Sequence, residues 1–496
     1  MSGGKEDSVN QPMSLRQIIR QNIPNGSLVR GVSVIASGTV MGQIIQVLAT
    51  PILTRIYSPN EFGELGVFVG LLVPITVIAC LRFEMAIPLP KRDGAAFQIV
   101  GLALLSLIIM TALTTIMGLG FGKYLLGKVS NGVLSGIYWL LPIGVFLGGL
   151  YQLSSLWAIR KKAFSVIATT RVQQGVGAVA IQAGLGALSF GTVGLAAGQV
   201  AGQALGLQRL TGNLIKDYRK NLGKIGWRGV KWALKRYSRF LKYDTFAALL
   251  NNSGAQVPAI LLAVYFSPAM AGAYILSVRI FSAPITLIGK ALIQAMLPDV
   301  VNARHSGQLP SMVQKIRMVL SAVSLGPFMT VALLMPLLFG HLFGNKWEGA
   351  GFVAAWTAVW VGFQFTYSPL SVVLLAVEAQ KMNLVLQVIS FLTRIVSIYV
   401  CYAINMPKLV ISIYSVTSAM FYLIATICVE WRSGRAFGES LRGMALSLIS
   451  GIIVTLPTAA SLEWRETIYG GGIGAIASCF VWAMYLRWTL RRAKFL

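Results

Sequence analysis

Ser58-Pro59-Asn60-Glu61-Phe62-Gly63-Glu64-Leu65-Gly66-Val67-Phe68-Val69-Gly70-Leu71-Leu72-Val73-Pro74-Ile75-Thr76-Val77-Ile78 begins with a turn that starts helices and runs on as a nearly unbroken apolar stretch. Its frame, Ser58-Pro59-x-x-x-Gly63 then Pro74-Ile75-Thr76-x-Ile78, returns about 209 residues later as Ser267-Pro268-x-x-x-Gly272 then Pro284-Ile285-Thr286-x-Ile288. Both copies lie at the turn into the second span of a half and run in the same direction. That argues for two six-helix lobes related by an axis along the normal of a membrane, with a central site between them.

The rest of the chain is as apolar as these frames. Of 496 residues 56% are hydrophobic and 11% charged, against the roughly 25% charged that clothe a soluble fold. A hydrocarbon core about 30 Å thick needs about 20 apolar residues per helix, and fourteen such spans fit between about residues 31 and 487. The expected fold is an all-α polytopic membrane protein. A tail occupies 1–30, an N-lobe of six spans 31–208 and a basic amphipathic linker 209–243. A C-lobe of six spans fills 244–430, and two further spans with a basic tail fill 431–496.

With the N-terminus inside, 31 of the 42 lysines and arginines fall on inner segments and six on outer ones. This is the sense of the positive-inside rule, so both termini are expected in the cytoplasm. The same distribution accounts for the net charge of +27 without nucleic acid as a partner. Within the linker Trp227, Val230, Leu234, Tyr237 and Leu241 recur at helical spacing among eleven cations. Such a helix suits the anionic inner leaflet, as an anchored linker or as a recruiter of substrate. The first 30 residues lack a short apolar run with a cleavage site, so no cleaved signal is expected.

Signatures of soluble enzymes are missing. The lysines that follow glycine, Lys123, Lys128, Lys224 and Lys290, precede Tyr, Val, Ile and Ala, not the Ser or Thr of a phosphate-binding loop. His305 and His341 stand apart, and Cys80, Cys401, Cys428 and Cys479 lie in apolar stretches without metal-ligand spacing. Neither an enzyme nor a bound cofactor is expected, which leaves a proton or sodium gradient as a driving force.

Charges inside spans are more telling, because each costs about 2.5 to 3.5 kcal/mol at the bilayer centre and usually faces a cavity or a partner. At about 1.5 Å per residue from the nearer span end, Arg171 sits about 12 Å deep and Arg279 and Arg394 about 16 Å. Arg82 and Lys290 lie nearer the inner interface, where long side chains reach water, and Arg82 with Glu84 makes a candidate ion pair. No acidic residue shares the depth of the three arginines, which suggests a water-filled cationic cavity suited to pyrophosphate, since guanidinium binds phosphate bidentately. Gln43 and Gln46 in the first span, Asn251, Asn252 and Gln256 in the seventh and Gln364 in the tenth would widen it toward sugar hydroxyls. Each alone serves equally well as a bond between helices. Pro74, Pro284 and Pro369 are candidate bends.

Thr54-Arg55-Ile56-Tyr57-Ser58-Pro59-Asn60-Glu61-Phe62-Gly63, with Arg82-Phe83-Glu84-Met85-Ala86-Ile87-Pro88-Leu89-Pro90 after it, resembles the opening spans of the bacterial polysaccharide-biosynthesis flippases of the O-antigen translocase type. Leu250 to Tyr274, with Gln256, Pro258 and Ser267-Pro268, is similar to the start of their second lobe. Those proteins belong to the multidrug, oligosaccharidyl-lipid and polysaccharide exporter (MOP) superfamily, and the resemblance implies a V-shaped alternating-access fold. It further implies movement of undecaprenyl-pyrophosphate-linked oligosaccharide units from the cytoplasmic to the periplasmic leaflet of a bacterial inner membrane, for O-antigen lipopolysaccharide, exopolysaccharide or capsule. Membrane lipids and a polysaccharide polymerase with its chain-length machinery would be partners. On this reading Arg171, Arg279, Arg394, Arg82 and Lys290 serve the pyrophosphate, and Glu84 is either a coupling residue or half of a structural salt bridge. An ion-coupled multidrug exporter and a peptidoglycan-precursor flippase of the same superfamily are the alternatives, the first of which calls for buried carboxylates. A scaffold would leave three deep arginines without a purpose.

Overall fold

The computed structural model describes residues 27–127, 137–219, 226–464 and 468–493. The tail expected at 1–26, the end of the basic tail at 494–496, and the cations Lys128, Lys220, Lys224 and Arg465 lie outside the described residues.

The first span is two helices, α1 (Ser27–Leu48) and α2 (Thr50–Ile56), broken where Pro51 cannot donate to the preceding turn. The repeated frame then shows its local purpose. Ser58 accepts from the amide of Glu61 while Glu61 accepts from the amide of Ser58, a reciprocal cap that starts α3 (Pro59–Ile78) with Pro59 in its first turn. Ser267 caps α11 (Pro268–Pro284) through the amide of Met270 at 3.2 Å. Between them run α4 (Asp93–Gly127), α5 (Leu140–Arg160), α6 (Phe164–Ala187), α7 (Gly191–Ala204), α8 (Leu207–Arg219), α9 (Trp227–Arg236) and α10 (Thr245–Tyr265). After α11 come α12 (Lys290–His305), α13 (Leu309–Phe343), α14 (Ala350–Leu370), α15 (Val372–Ala376), α16 (Gln380–Ala403), α17 (Val410–Arg432), α18 (Phe437–Trp464) and α19 (Ile468–Arg492).

Among the described residues eleven segments are long and apolar enough to cross a membrane. Three more complete a multi-pass protein of fourteen crossings: α6, which is polar along its first half; α7, of 14 residues; and α11 with α12, separated by a wide turn at Ile285–Gly289 directly after Pro284. Pro369 likewise falls at the end of α14, whereas Pro74 sits within an unbroken α3. In the linker, Ala233 is the buried side chain of α9, and Trp227, Trp232 and Leu234 are exposed among the cations. Gly229 fits α9 flush against Gln98 of α4.

α1 to α7 pack into one bundle and α10 to α17 into a second, and the two meet chiefly where α3 lies along α10 and α11. At that crossing the two copies of the repeat close on each other. A Cβ on Gly63 would overlap the Pro268 carbonyl, and one on Gly272 would overlap the Pro59 carbonyl. The absence of a side chain is what permits this backbone contact. Trp347, just past α13, locks the same end: its indole donates to the carbonyls of Thr54 (2.9 Å) and Tyr57 (3.2 Å), and its ring meets Phe62 edge-on at 5.1 Å. At the linker end the bundles touch again, through Arg82 Nε on Asp244 at 2.8 Å and the Thr245 hydroxyl on the Leu81 carbonyl at 3.1 Å.

α18 and α19 pack on α13, held by a buried charge cluster. Arg317 Nε meets Glu430 at 2.6 Å, and its Nη1 reaches the Gly443 carbonyl (3.1 Å) and Ser447 (2.7 Å) of α18. Arg435 Nη1 reaches both oxygens of Glu430, Oε1 at 3.2 Å and Oε2 at 3.3 Å. The cation count places Arg317 in an inner segment; the structure puts it inside a 35-residue α13 that begins at Leu309, with 2% of its side chain exposed.

Candidate functional site

The weakly apolar helices build the polar interior of the first bundle. α6 supplies Arg171 and Gln174, α7 supplies Gln199 and Gln203, α5 supplies Tyr151 and Gln152, and Gln46 and Thr76 come from α1 and α3. Together they line a cavity of about 280 Å³ with no carboxylate on its wall. The Arg171 guanidinium lies 4.7 Å from the centre of the Tyr151 ring and reaches Gln174 Oε1 at 3.5 Å. Face-on contact of this kind stabilises a cation without neutralising it.

Gln46 joins this cavity to the seam between the bundles. Arg279, on α11 of the second bundle, donates through Nη2 to the Gln46 carbonyl (3.4 Å) and to its Oε1 (3.3 Å). One turn along, Thr286 donates to Gln43 Oε1 at 3.1 Å. A guanidinium carries five donors, and a neutral amide answers few of them, so Arg279 bridges the two halves with its charge uncompensated by any ion pair among the described residues. Gln256 lies on the same seam, against Gly70 of α3.

Arg394 sits apart, inside the second bundle. It donates to the Tyr422 hydroxyl (2.7 Å) and the Gly254 carbonyl (3.5 Å), with its guanidinium 5.8 Å from the Trp360 ring centre and 6.0 Å from that of Tyr422. Gln364 also hydrogen-bonds Tyr422, and Tyr274 pairs with Tyr414 at 2.9 Å, so this cation is caged in aromatics. Asn252 turns back to its own helix at the Ala248 carbonyl, and Asn251 is exposed. Lys290 begins α12, and its side chain lies outside the described ones. The structure therefore brings Arg171 and Arg279 together around Gln46, and separates them from Arg394 and from Arg82 at the linker end.

Glu84 lies in a short turn, Phe83–Ala86, past the end of α3, with 1% of its side chain exposed. Among the described residues neither carboxylate oxygen has a hydrogen-bond partner, and the nearest cation is Arg82 Nη1 at 3.7 Å. Burial pushes its carboxyl up to about 7, against the opposing pull of Arg82. Among the described residues no group of His, Cys, Asp or Glu is placed to hold a metal.

Sequence reasoning singled out Gln46 and Arg171 but not Gln152, Gln174, Gln199 or Gln203. Their signal was there: spans four to six, about residues 133 to 208, hold seven glutamines, these four with Gln173, Gln182 and Gln208, in a chain whose other spans hold at most two each.

No curated protein sequence matches the chain. Its fold is that of two kinds of solved transporter. The lipid II flippase MurJ in an inward closed conformation superposes with a TM-score of 0.70 at 14% identity, covering 92% of this chain and 99% of that one. An inward-facing multidrug resistance MATE family transporter of the MOP superfamily superposes with a TM-score of 0.57 at 14% identity, covering 81% and 96%. A family described as polysaccharide biosynthesis protein matches residues 52–351, which take in both copies of the repeat, Arg171, Arg279 and, apart from α1, the helices around the cavity, and to that family this chain belongs.

Proposed function

We propose that this protein is a flippase that carries undecaprenyl-pyrophosphate-linked oligosaccharide units from the cytoplasmic to the periplasmic leaflet of a bacterial inner membrane, for O-antigen or another surface polysaccharide. The observation that carries the reading is Arg279: a deep guanidinium on the seam between the bundles, held by a neutral glutamine where a structural arginine would have a carboxylate. A pyrophosphate supplies the charge and the bidentate acceptors that Gln46 cannot. Arg171, joined to the seam through Gln46, extends the cationic surface into the first bundle. The carboxylate-free wall disfavours organic cations as cargo.

Alternating access then requires the Gly63–Gly272 contact to part while the linker end closes, with the prenyl tail left in lipid. Both termini and the linker would face the cytoplasm, as the cation distribution requires. In proteoliposomes holding a fluorescent undecaprenyl-pyrophosphate glycan, the wild-type chain is expected to expose label on the opposite leaflet. Arg279→Ala is expected to lose at least tenfold in rate, and Arg279→Lys to recover part of it, since lysine keeps the charge and not the fork. Equal rates for all three would remove Arg279 from the transport path.

A further inference from the structure

The cavity of the first bundle holds more hydrogen-bonding capacity than its helices use. Five glutamines from four helices face it, each with an acceptor and two donors. Gln182, on the same α6–α7 contact and just outside the cavity, shows what a structural glutamine looks like here: it is 3% exposed and donates to the Leu195 carbonyl at 3.1 Å. Among the cavity glutamines, Gln174 reaches the Gln203 carbonyl and Gln46 receives Arg279, but the side chains of Gln152 and Gln199 have no hydrogen-bond partner among the described residues.

The floor makes the same point more sharply. Gln203 Oε1 and Thr76 Oγ1 are buried without a partner, although such a group ordinarily costs about 1 to 3 kcal/mol when left unpaired. Gly148 lies between them; a Cβ there would come 2.5 Å from Thr76 Cγ2 and 2.8 Å from Gln203 Oε1. The floor is thus kept open at a glycine and edged by two oxygens that want donors. At about 280 Å³ the space is many times the roughly 30 Å³ of a water molecule.

We propose that this cavity is a subsite for the sugar ring adjoining the pyrophosphate, read through its hydroxyls. The inference rests on the transport reading above and adds a specificity element to it. A ring hydroxyl both donates and accepts, which matches amides; it donates to Gln203 Oε1 and Thr76 Oγ1, which a carboxylate or phosphate cannot do. Gln46 sets the register, since the same side chain faces the cavity and holds Arg279 on the seam. Arg171, beside Gln174 on α6, adds further donors. A site built to hydrogen-bond a hydroxyl rejects a ligand lacking it far more strongly than an apolar pocket rejects a missing methylene.

The test compares two ligands on the full-length protein in nanodiscs by native mass spectrometry: undecaprenyl pyrophosphate, and the same lipid bearing one hexose. The wild-type chain is expected to bind the glycosylated lipid at least tenfold more tightly. The double variant Gln199→Leu/Gln203→Leu is expected to lose that preference with bare-lipid affinity unchanged. Gly148→Ala, which fills the floor between Thr76 and Gln203 while leaving every glutamine in place, should lose it too and guards against misfolding of the double variant. A wild-type chain that binds the two lipids equally, or variants that keep the preference, would overturn the subsite while leaving the transport reading intact. Failure of the wild-type chain to bind either lipid would overturn both.

Discussion

At the scale of single residues, the membrane interior sorts charges by what answers them. Glu430 is wholly buried and is answered twice, by Arg317 and by Arg435. Glu430→Gln leaves the buried Arg317 without a counter-ion, while Arg435 keeps Glu439 at 3.4 Å, and is expected to cost about 3 to 5 kcal/mol, read as a fall in melting temperature in detergent. Pairing it with Arg317→Met should recover part of the loss; an additive loss would show that the two do not act as one unit. Arg279 differs because its partner is an amide, and this contrast was partly legible in the sequence. An arginine deep in an apolar run stands out whatever its neighbours, so Arg171, Arg279 and Arg394 were visible. Which of them meet was not, because depth fixes one coordinate of three. The burial of Arg317 was hidden for a related reason: it stands near the inner end of its span among other cations, and its partners Glu430 and Ser447 come from helices far along the chain.

At the scale of elements, helices were legible because lipid leaves the backbone no other way to satisfy itself. Of the candidate bends, Pro284 and Pro369 fall at breaks and Pro74 does not, while the break at Pro51 was not singled out. The helices hardest to recognise by apolarity, α6, α7 and α11–α12, are those that carry the cavity and Arg279. The polarity that weakens the signal is the polarity the site requires. The repeat was read as evidence of two related halves, and the structure adds that its copies touch. Gly63→Ala would drive a methyl into the Pro268 carbonyl, which belongs to a helix and cannot swing aside. Such a variant is expected to hold that end apart, so that a cysteine placed at Phe62, 1% exposed in the wild type, reacts with a membrane-impermeant maleimide at least several-fold faster than in the Gly63 background. An unchanged labelling rate would mean that the helices slide and the contact is no stop.

At the scale of the whole molecule, the bundles are pinned at both ends, and the two pins differ in kind. The linker-end pin is ionic: Arg82 holds Asp244, with Glu84 buried beside them. The sign of its pH response follows from Glu84. A carboxyl raised to about 7 in the folded chain binds its proton more tightly than in the unfolded one, so its stabilising share is full below the ordinary value of about 4.3 and lost as pH rises through about 7. The Glu84→Gln chain is expected to lose that part of the pH dependence of melting, and in proteoliposomes to lose acceleration of transport by an imposed proton gradient. If the variant responds to the gradient as the wild type does, Glu84 is a structural partner of Arg82 and the coupling site lies elsewhere.

The other pin is main chain against main chain, Gly63 on the Pro268 carbonyl and Gly272 on the Pro59 carbonyl. It contains nothing that titrates, oxidises or rotates between alternative side-chain poses. On the proposed transport reading, cargo specificity is therefore free to diverge in the glutamines and arginines of the cavity and seam, while this clasp stays chemically mute and opens only when work done elsewhere in the molecule pulls it apart.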